Sequence, residues 1–309
     1  MAVKRRVALV SQHDLPTWEV DDRPFEEALR ASGVEVSKPA WDDPAVDWTC
    51  FDAALLRTTW DYADRVADFV AWARAAERRT LLLHDASIVA WNTDKTYLRQ
   101  LAECGVPTAP CVWLERGANV QIAEIMAARG WARGFLKPVF GQTARETLRF
   151  SWDAEGLVLA AAHLDRLLPV EGMILQPYLA SVEQLGEVSV ILIDEQVSHA
   201  VRKVPVPGDY RVQDDFGARD ERIACPAELE ALAAQAVQAA RRCLGRDQPL
   251  LYARVDALQD DEGRLVLNEL EIVEPSLFFR HAPEAGERLA EALLRRVGNP
   301  VTGRGVGGA

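Results

Sequence analysis

Nowhere in its 309 residues does the chain approach the ~20 consecutive apolar residues that span a bilayer. Its opening, MAVKRRVALVSQHD, also lacks the long apolar segment and small-residue cleavage site of a secretory leader. A cytoplasmic protein with no membrane partner is therefore expected. Cysteine is scarce. The five residues, Cys50, Cys104, Cys111, Cys225 and Cys243, are odd in number and scattered, with no C-x-x-C pair. That indicates neither a thiolate metal site nor a disulfide frame, and leaves ordinary buried thiols as the expectation. The five histidines, His13, His84, His163, His199 and His281, show no ligand spacing and read as structurally satisfied. Basic residues are outnumbered, 35 Lys and Arg against 47 Asp and Glu, and the net charge of -12 opposes binding to nucleic acid or an anionic surface.

What is present is a hydrophobic share of 49%, enough for a substantial core, in a length that accommodates two domains. The first ninety or so residues alternate strand and helix. Strands are expected at 7–11, 34–36, 53–56 and 81–83. A capped helix lies in VDDRPFEEALRASG, with Pro24 in its first turn and Gly33 past its end, and another lies over about 64–78. That order implies a parallel sheet with helices on its faces. Such sheets bind ligands outside the carboxyl ends of their strands, where RTTWDY falls and Arg57 is a candidate anion contact.

From Asn92 the texture changes. Helices are expected over 95–103, 120–129, 160–168 and 227–244, and strands at 134–138, 147–151, 173–176, 187–193 and 197–204. GVPTAPCVWL is an extended link, and PVPGDYRVQDDFGA is a loop. Mixed helices and antiparallel strands make the second region α+β. A hairpin follows, 250–258 with 265–272, turning at Asp260 to Gly263. The tail TGRGVGGA reads as a flexible end.

The second hairpin strand runs into NELEIVE, which places acids at Glu269, Glu271 and Glu274. Side chains alternate along a strand, so Glu269 and Glu271 are expected to share a face with Leu265 and Leu267, and Leu270 and Ile272 to point away. A strand end emerging into water is one explanation. The other adds Asp256 of YARVD and makes the three a divalent-metal site. Same-face neighbours lie roughly 7 Å apart, which suits carboxylates flanking a metal pair about 3.5 to 4 Å apart. Oxygen-only ligands favour magnesium or manganese over zinc.

Three cations call for anions. Lys137 lies inside the apolar run GFLKPVFG, Lys95 opens a helix against the macrodipole preference, and Arg254 shares the face of Asp256. A strand-edge lysine that snorkels is the alternative for each lysine. Cations beside carboxylates suit a site where magnesium binds through acids and substrate phosphates.

LKPVFG, QPYL, YARVD and NELE, in that order and at these separations, resemble the ATP-grasp superfamily of the glutathione synthetase and D-alanine:D-alanine ligase type. The resemblance covers nearly the whole chain. It implies an N-terminal α/β domain with a parallel sheet over residues 1–91. Two α+β subdomains then clasp ATP, a lid over 92–175 and a C-terminal part over 176–299, before a tail at 300–309. It also implies roles. Lys95 and Lys137 would reach the ATP phosphates. Gln176, Tyr178 and Leu179 would form the adenine hinge, with Leu267 against the ring and Glu187, or Glu183 in its place, at the ribose. Asp256, Glu269 and Glu271 would hold two magnesium ions, with manganese as the substitute. Arg254 would steady the transferring phosphoryl group and Arg211 would meet the substrate carboxylate. Arg57 and Trp60 would contribute substrate contacts.

The chain departs from that pattern in two places. The lid loop FGQTARETLRF keeps only Gly141 where relatives have several glycines, so Gln142, Thr143 or Arg145 would have to substitute. Glu271 stands where many relatives have asparagine. In EPSLFF, Phe278 and Phe279 are either core aromatics or a substrate wall. The implied activity is an ATP-dependent carboxylate-amine ligase acting through an acyl phosphate on small-molecule carboxylate and amine substrates. LLRTTWDY, WNTDK and VRKVPVPGDYR further resemble a subgroup of cycloserine-forming ligases, where both groups belong to one molecule. The rivals are an ATP-grasp phosphotransferase, which the acidic balance disfavours, and a non-catalytic nucleotide-binding module, which the three acids disfavour. Homo-oligomerisation is left open.

Overall fold

The computed structural model describes residues 4–15 and 21–298, so the expected tail at 300–309 lies outside the described residues. Three sheets organise it. The first is parallel, in the order β2-β1-β3-β4, with β1 Arg6–Ser11, β2 Glu35–Ser37, β3 Ala53–Thr58 and β4 Leu81–Leu83. Its helices are α1 Arg23–Ala31, α2 Val66–Ala76 and α3 Ala86–Asn92. β3 is buried at every position, as an inner strand covered on both faces must be.

The second sheet, β5-β8-β6-β7, is antiparallel and comprises β5 Val112–Leu114, β6 Arg133–Pro138, β7 Leu148–Ser151 and β8 Met173–Pro177. It follows α4 Tyr97–Glu103 and carries α5 Ile122–Arg129 and α6 Ala154–Leu167. α6 begins six residues before its expected start, because Asp153 caps it by accepting from the Gly156 N–H at 2.8 Å. A short helix, α7 Ser181–Gln184, leads to the third sheet.

That sheet is antiparallel in the order β11-β10-β9-β12-β13. Its strands are β9 Glu187–Ile193, β10 Gln196–Val204, β11 Arg219–Ile223, β12 Tyr252–Gln259 and β13 Leu265–Glu271. α8 Ala227–Leu244, at its expected bounds, covers one face, where Val190, Leu192, Val255 and Leu270 meet Leu232, Ala236 and Ala240. Toward one end of the opposite face, Ile191, Ile193 and Tyr252 join the core built by α1 and the last helix, α9 Pro283–Gly298. Neither α9 nor β11 is expected from the sequence. Apolar positions 285, 289, 292 and 293 are legible at helical spacing.

The cysteines correct an expectation. Cys50 and Cys104 are exposed and the other three are half-buried, since they sit at element ends and links rather than in the cores. The histidines His84 and His199 are buried and satisfied. His84 accepts from the Leu251 N–H at Nε2 (2.9 Å) and so donates from Nδ1 to the Ile272 carbonyl (2.6 Å). His199 Nε2 lies 3.0 Å from the Leu277 carbonyl. No helix among the described residues is long and apolar enough to cross a membrane.

Candidate active site

The exposed half of the third sheet's second face, the lid sheet and the end of β3 enclose a cavity of about 440 Å³. Lys95, Lys137, Arg254, Asp256, Glu269 and Glu271 all line it. So do Gln176, Tyr178, Leu179, Glu187, Arg211 and Trp60. Residues from every region of the chain thus meet around one space.

A β-bulge shapes its acidic wall. Asp256 pairs with Glu269, but the next residue, Ala257, pairs with Leu267, so Asn268 is the extra residue in β13. The extra residue reverses the face alternation. Leu267 therefore joins Leu270 and Ile272 in the core beneath α8 and does not border the cavity, contrary to the expectation that it shares the acidic face. Leu258 of β12 borders the cavity instead, packed against Val266, Ala109 and Leu179.

Charge on this wall is paired in a definite pattern. Glu269 receives Lys95 Nζ at 2.9 Å and Lys137 Nζ at 3.4 Å. Burial alone would raise its pKa, but the two ammonium groups hold it at about 2. Asp256 takes Arg254 Nε at 3.0 Å and Nη2 at 2.9 Å, the Ser189 hydroxyl at 2.5 Å, and has Lys203 at 3.5 Å. Burial is again outweighed, here by Arg254 and Lys203, and Asp256 also lies at about 2. Glu271 shares Arg254 with Asp256. Burial pushes it up to about 7 against the pull of Arg254, with Asp256, Glu269 and Glu274 adding repulsion. Glu187 is buried against Lys203 and accepts from Asn268 Nδ2 at 2.5 Å. Burial raises it too, despite that lysine.

Other expected residues fall less simply. Arg57 is 2% exposed and not on the cavity wall. Its guanidinium is held by Asp22 at 2.9 and 2.7 Å and donates to the Pro275 carbonyl at 3.1 Å, which ties the 274–279 segment to the first sheet. Trp60 does border the cavity and donates from Nε1 to the Glu274 carbonyl at 3.0 Å. Arg211 borders it too, but pairs with Asp209 at 2.7 Å and lies 3.8 Å over the Phe216 ring. Glu187 lines the cavity whereas Glu183 does not, being exposed and paired with Arg149. Phe278 borders the space and Phe279 is core.

In the lid loop, Thr143, Ala144 and Glu146 have φ values of 47°, 54° and 52°, left-handed backbone without glycine. Gln142 reaches across the cavity to Glu274, and Arg145 pairs with Glu171 at 3.0 Å.

Sequence reasoning missed Lys203, Asn268 and Ser189. Lys203 shares its strand face with the buried Val201, but it stands beside Arg202 rather than inside an unbroken apolar run of the kind that singled out Lys137. Asn268 carried none, because a bulge is not visible in an alternating pattern. Among the described residues no three acidic, histidine or cysteine side chains converge as they stand to hold a metal ion. Asp256, Glu269 and Glu271 are instead occupied by lysine and arginine. Their donor chemistry still fits a hard divalent cation, and Glu271 at about 7 marks negative charge that one would relieve.

Residues 7–84 match the N-terminal domain model of D-cycloserine synthetase DcsG, and residues 157–273 match the RimK-like ATP-grasp domain. The cycloserine biosynthesis protein DcsG of Streptomyces lavendulae is 34% identical over 306 residues, 94% of this chain and 96% of that protein. A glutathione synthetase of Prochlorococcus marinus is 25% identical over 283 residues, 81% and 87% of the two chains. The crystal structure of D-cycloserine synthetase DcsG superposes with a TM-score of 0.86 at 31% identity, covering 94% of this chain and 99% of that one. A D-alanine–D-alanine ligase from Bacillus anthracis shares the fold, with a TM-score of 0.65 at 17% identity over 95% and 97% of the chains.

Proposed function

The chain belongs to the ATP-grasp ligases, ADP-forming enzymes that join a carboxylate to an amine, and from that membership we propose that it closes an amide ring within one small amino-acid substrate. Enzymes of this family use ATP and magnesium. The relative matched over nearly its whole length is named for cycloserine, a ring whose amide nitrogen is bonded to oxygen. Opening that amide on paper gives an amino-oxy derivative of serine, with carboxylate and nucleophile in one molecule. The observation that carries the reading is the convergence of Lys95, Lys137 and Arg254 with Asp256, Glu269 and Glu271 on one cavity wall that also reaches Trp60.

Each of these side chains now neutralises another, and a triphosphate with its metal brings both signs of charge together. Lysines and acids could then exchange partners without leaving a buried charge unpaired. In this reading Lys95 and Lys137 take phosphate oxygens. Gln176, Tyr178 and Leu179 border adenine, with Leu258 in the place expected of Leu267, and Glu187 meets the ribose. Asp256, Glu269 and Glu271 hold magnesium, which when bound supplies charge neutralisation for the triphosphate. Arg254 stabilises charge on the phosphoryl group as it passes to the substrate carboxylate. Arg211 exchanges Asp209 for that carboxylate, and Trp60 walls the substrate end. The acyl phosphate so formed is attacked by the amino-oxy nitrogen, which expels phosphate and closes the ring. The division at 91 and 175 fits this scheme, with the nucleotide between the second and third sheets.

Phosphate release with magnesium and ATP tests the reading. O-Amino-D-serine alone should support turnover and yield a cyclic product. Turnover only when a separate amine is added would replace ring closure by intermolecular ligation.

A further inference from the structure

At the end of the cavity nearest the first sheet, Glu274 lies beyond the wall of paired charges. Its Oε1 accepts from the Tyr62 hydroxyl at 2.8 Å and from Gln142 Nε2. Its Oε2 is sealed from solvent and has no hydrogen-bond donor among the described residues. Gln142 Oε1 is in the same condition. Two acceptors without donors thus sit on side chains already bonded to each other, both bordering the cavity. Buried acceptors are almost always satisfied, so a pair of orphans on a cavity wall marks a missing donor. Both donors to Glu274 are neutral and no lysine or arginine among the described residues pairs with it, so a cationic donor would complete the set. Burial raises Glu274 to about 7 even though Tyr62, Gln142, Lys95 and Arg254 all favour its charged form, so its anion lacks a close partner.

We propose that Glu274, with Gln142 beside it, is the seat of the primary ammonium group of an amino-acid substrate. An ammonium offers three N–H donors on a compact charge, enough for both orphaned oxygens. Gln142 sits on the loop between β6 and β7 and Glu274 on the segment that Arg57 ties down, so the group is met from two separate parts of the fold. This inference rests on the ligase reading and deepens it, by assigning the ammonium that does not react. The reacting amino-oxy nitrogen is then left to face the charged wall.

The test is calorimetric titration of D-serine and of 3-hydroxypropanoate, which lacks only the amino group, into the full chain loaded with magnesium and a non-hydrolysable ATP analogue. The parent should prefer D-serine by about tenfold or more. Glu274→Gln should reduce that preference to about twofold with affinity for the analogue unchanged. Gln142→Ala, in a loop where folding is not at stake, should reduce it about threefold. A parent without preference, or variants that keep it, would overturn the seat. Failure of the analogue to bind would count against the nucleotide reading instead, and the same titrations without nucleotide would still read the seat.

Discussion

Glu271→Gln should stabilise the ligand-free protein, and only at neutral to alkaline pH. Its carboxyl is displaced from the ordinary 4.5 to about 7. At full strength that displacement corresponds to about 3 kcal/mol. The side chain keeps 31% of its surface, so solvent screening reduces the figure to about 1 to 2 kcal/mol. The sign follows from linkage. Between 4.5 and 7 the folded chain holds a proton that the unfolded chain has released, so this group's contribution is full below 4.5 and lost as pH rises through 7. Glutamine retains the oxygen that meets Arg254 and carries no charge at any pH. At pH 4, below the unfolded value, parent and variant should therefore melt together. At pH 8 the variant should melt a few degrees higher, at roughly 2 to 4 °C per kcal/mol. Thermal melts by circular dichroism in chelator, at both pH values, read the difference. Equal stabilisation at both, or destabilisation at pH 8, would refute the picture of an overcrowded anionic wall.

Glu269→Gln should do the opposite, because Glu269 is the counter-ion of buried Lys137 and half-buried Lys95. A cost of about 3 kcal/mol is expected in denaturant melts from pH 5 to 8, fading as pH falls below 4.5 toward 2, where the parent's own carboxylate protonates. Lys137→Ala should weaken a non-hydrolysable ATP analogue about tenfold to over a hundredfold, from the loss of one charge-assisted contact. Unchanged affinity in titration would remove Lys137 from the nucleotide site. Asp22→Asn should lower stability by about 3 kcal/mol by stranding Arg57, while analogue affinity stays within about twofold. A large loss of affinity in a folded variant would return Arg57 to the site.

The parts of this arrangement legible in the sequence are those set by period and punctuation. The parallel sheet followed from strands alternating with helices, and α8 lies at its expected bounds, between Pro226 and Gly245. Lys95, Lys137, Arg254 and the acids could be singled out because each violates the local pattern, as charges inside apolar runs must when they face a ligand rather than the core. What failed was whatever one residue can change without altering composition. The bulge at Asn268 moved Leu267 to the opposite face while leaving the text of the strand looking regular. Arg57 looked like an anion contact because its position at a strand end is right. Its partner, Asp22, lies 35 residues away and only the fold brings them together. Glu274 was visible as an acid, but its orphaned oxygen depends on Tyr62 and Gln142, which arrive from two other regions.

In the proposed reaction the substrate's carboxylate attacks ATP directly, in a cavity whose paired charges serve the phosphoryl group. Among the described residues, neither a cysteine nor a histidine borders the cavity. The direct measurement uses O-amino-D-serine labelled with heavy oxygen in its carboxylate, turned over with magnesium and ATP, with the released phosphate and nucleotide read by mass spectrometry. One label should appear in inorganic phosphate, together with ADP. AMP with pyrophosphate, or phosphate free of label, would contradict the acyl-phosphate account.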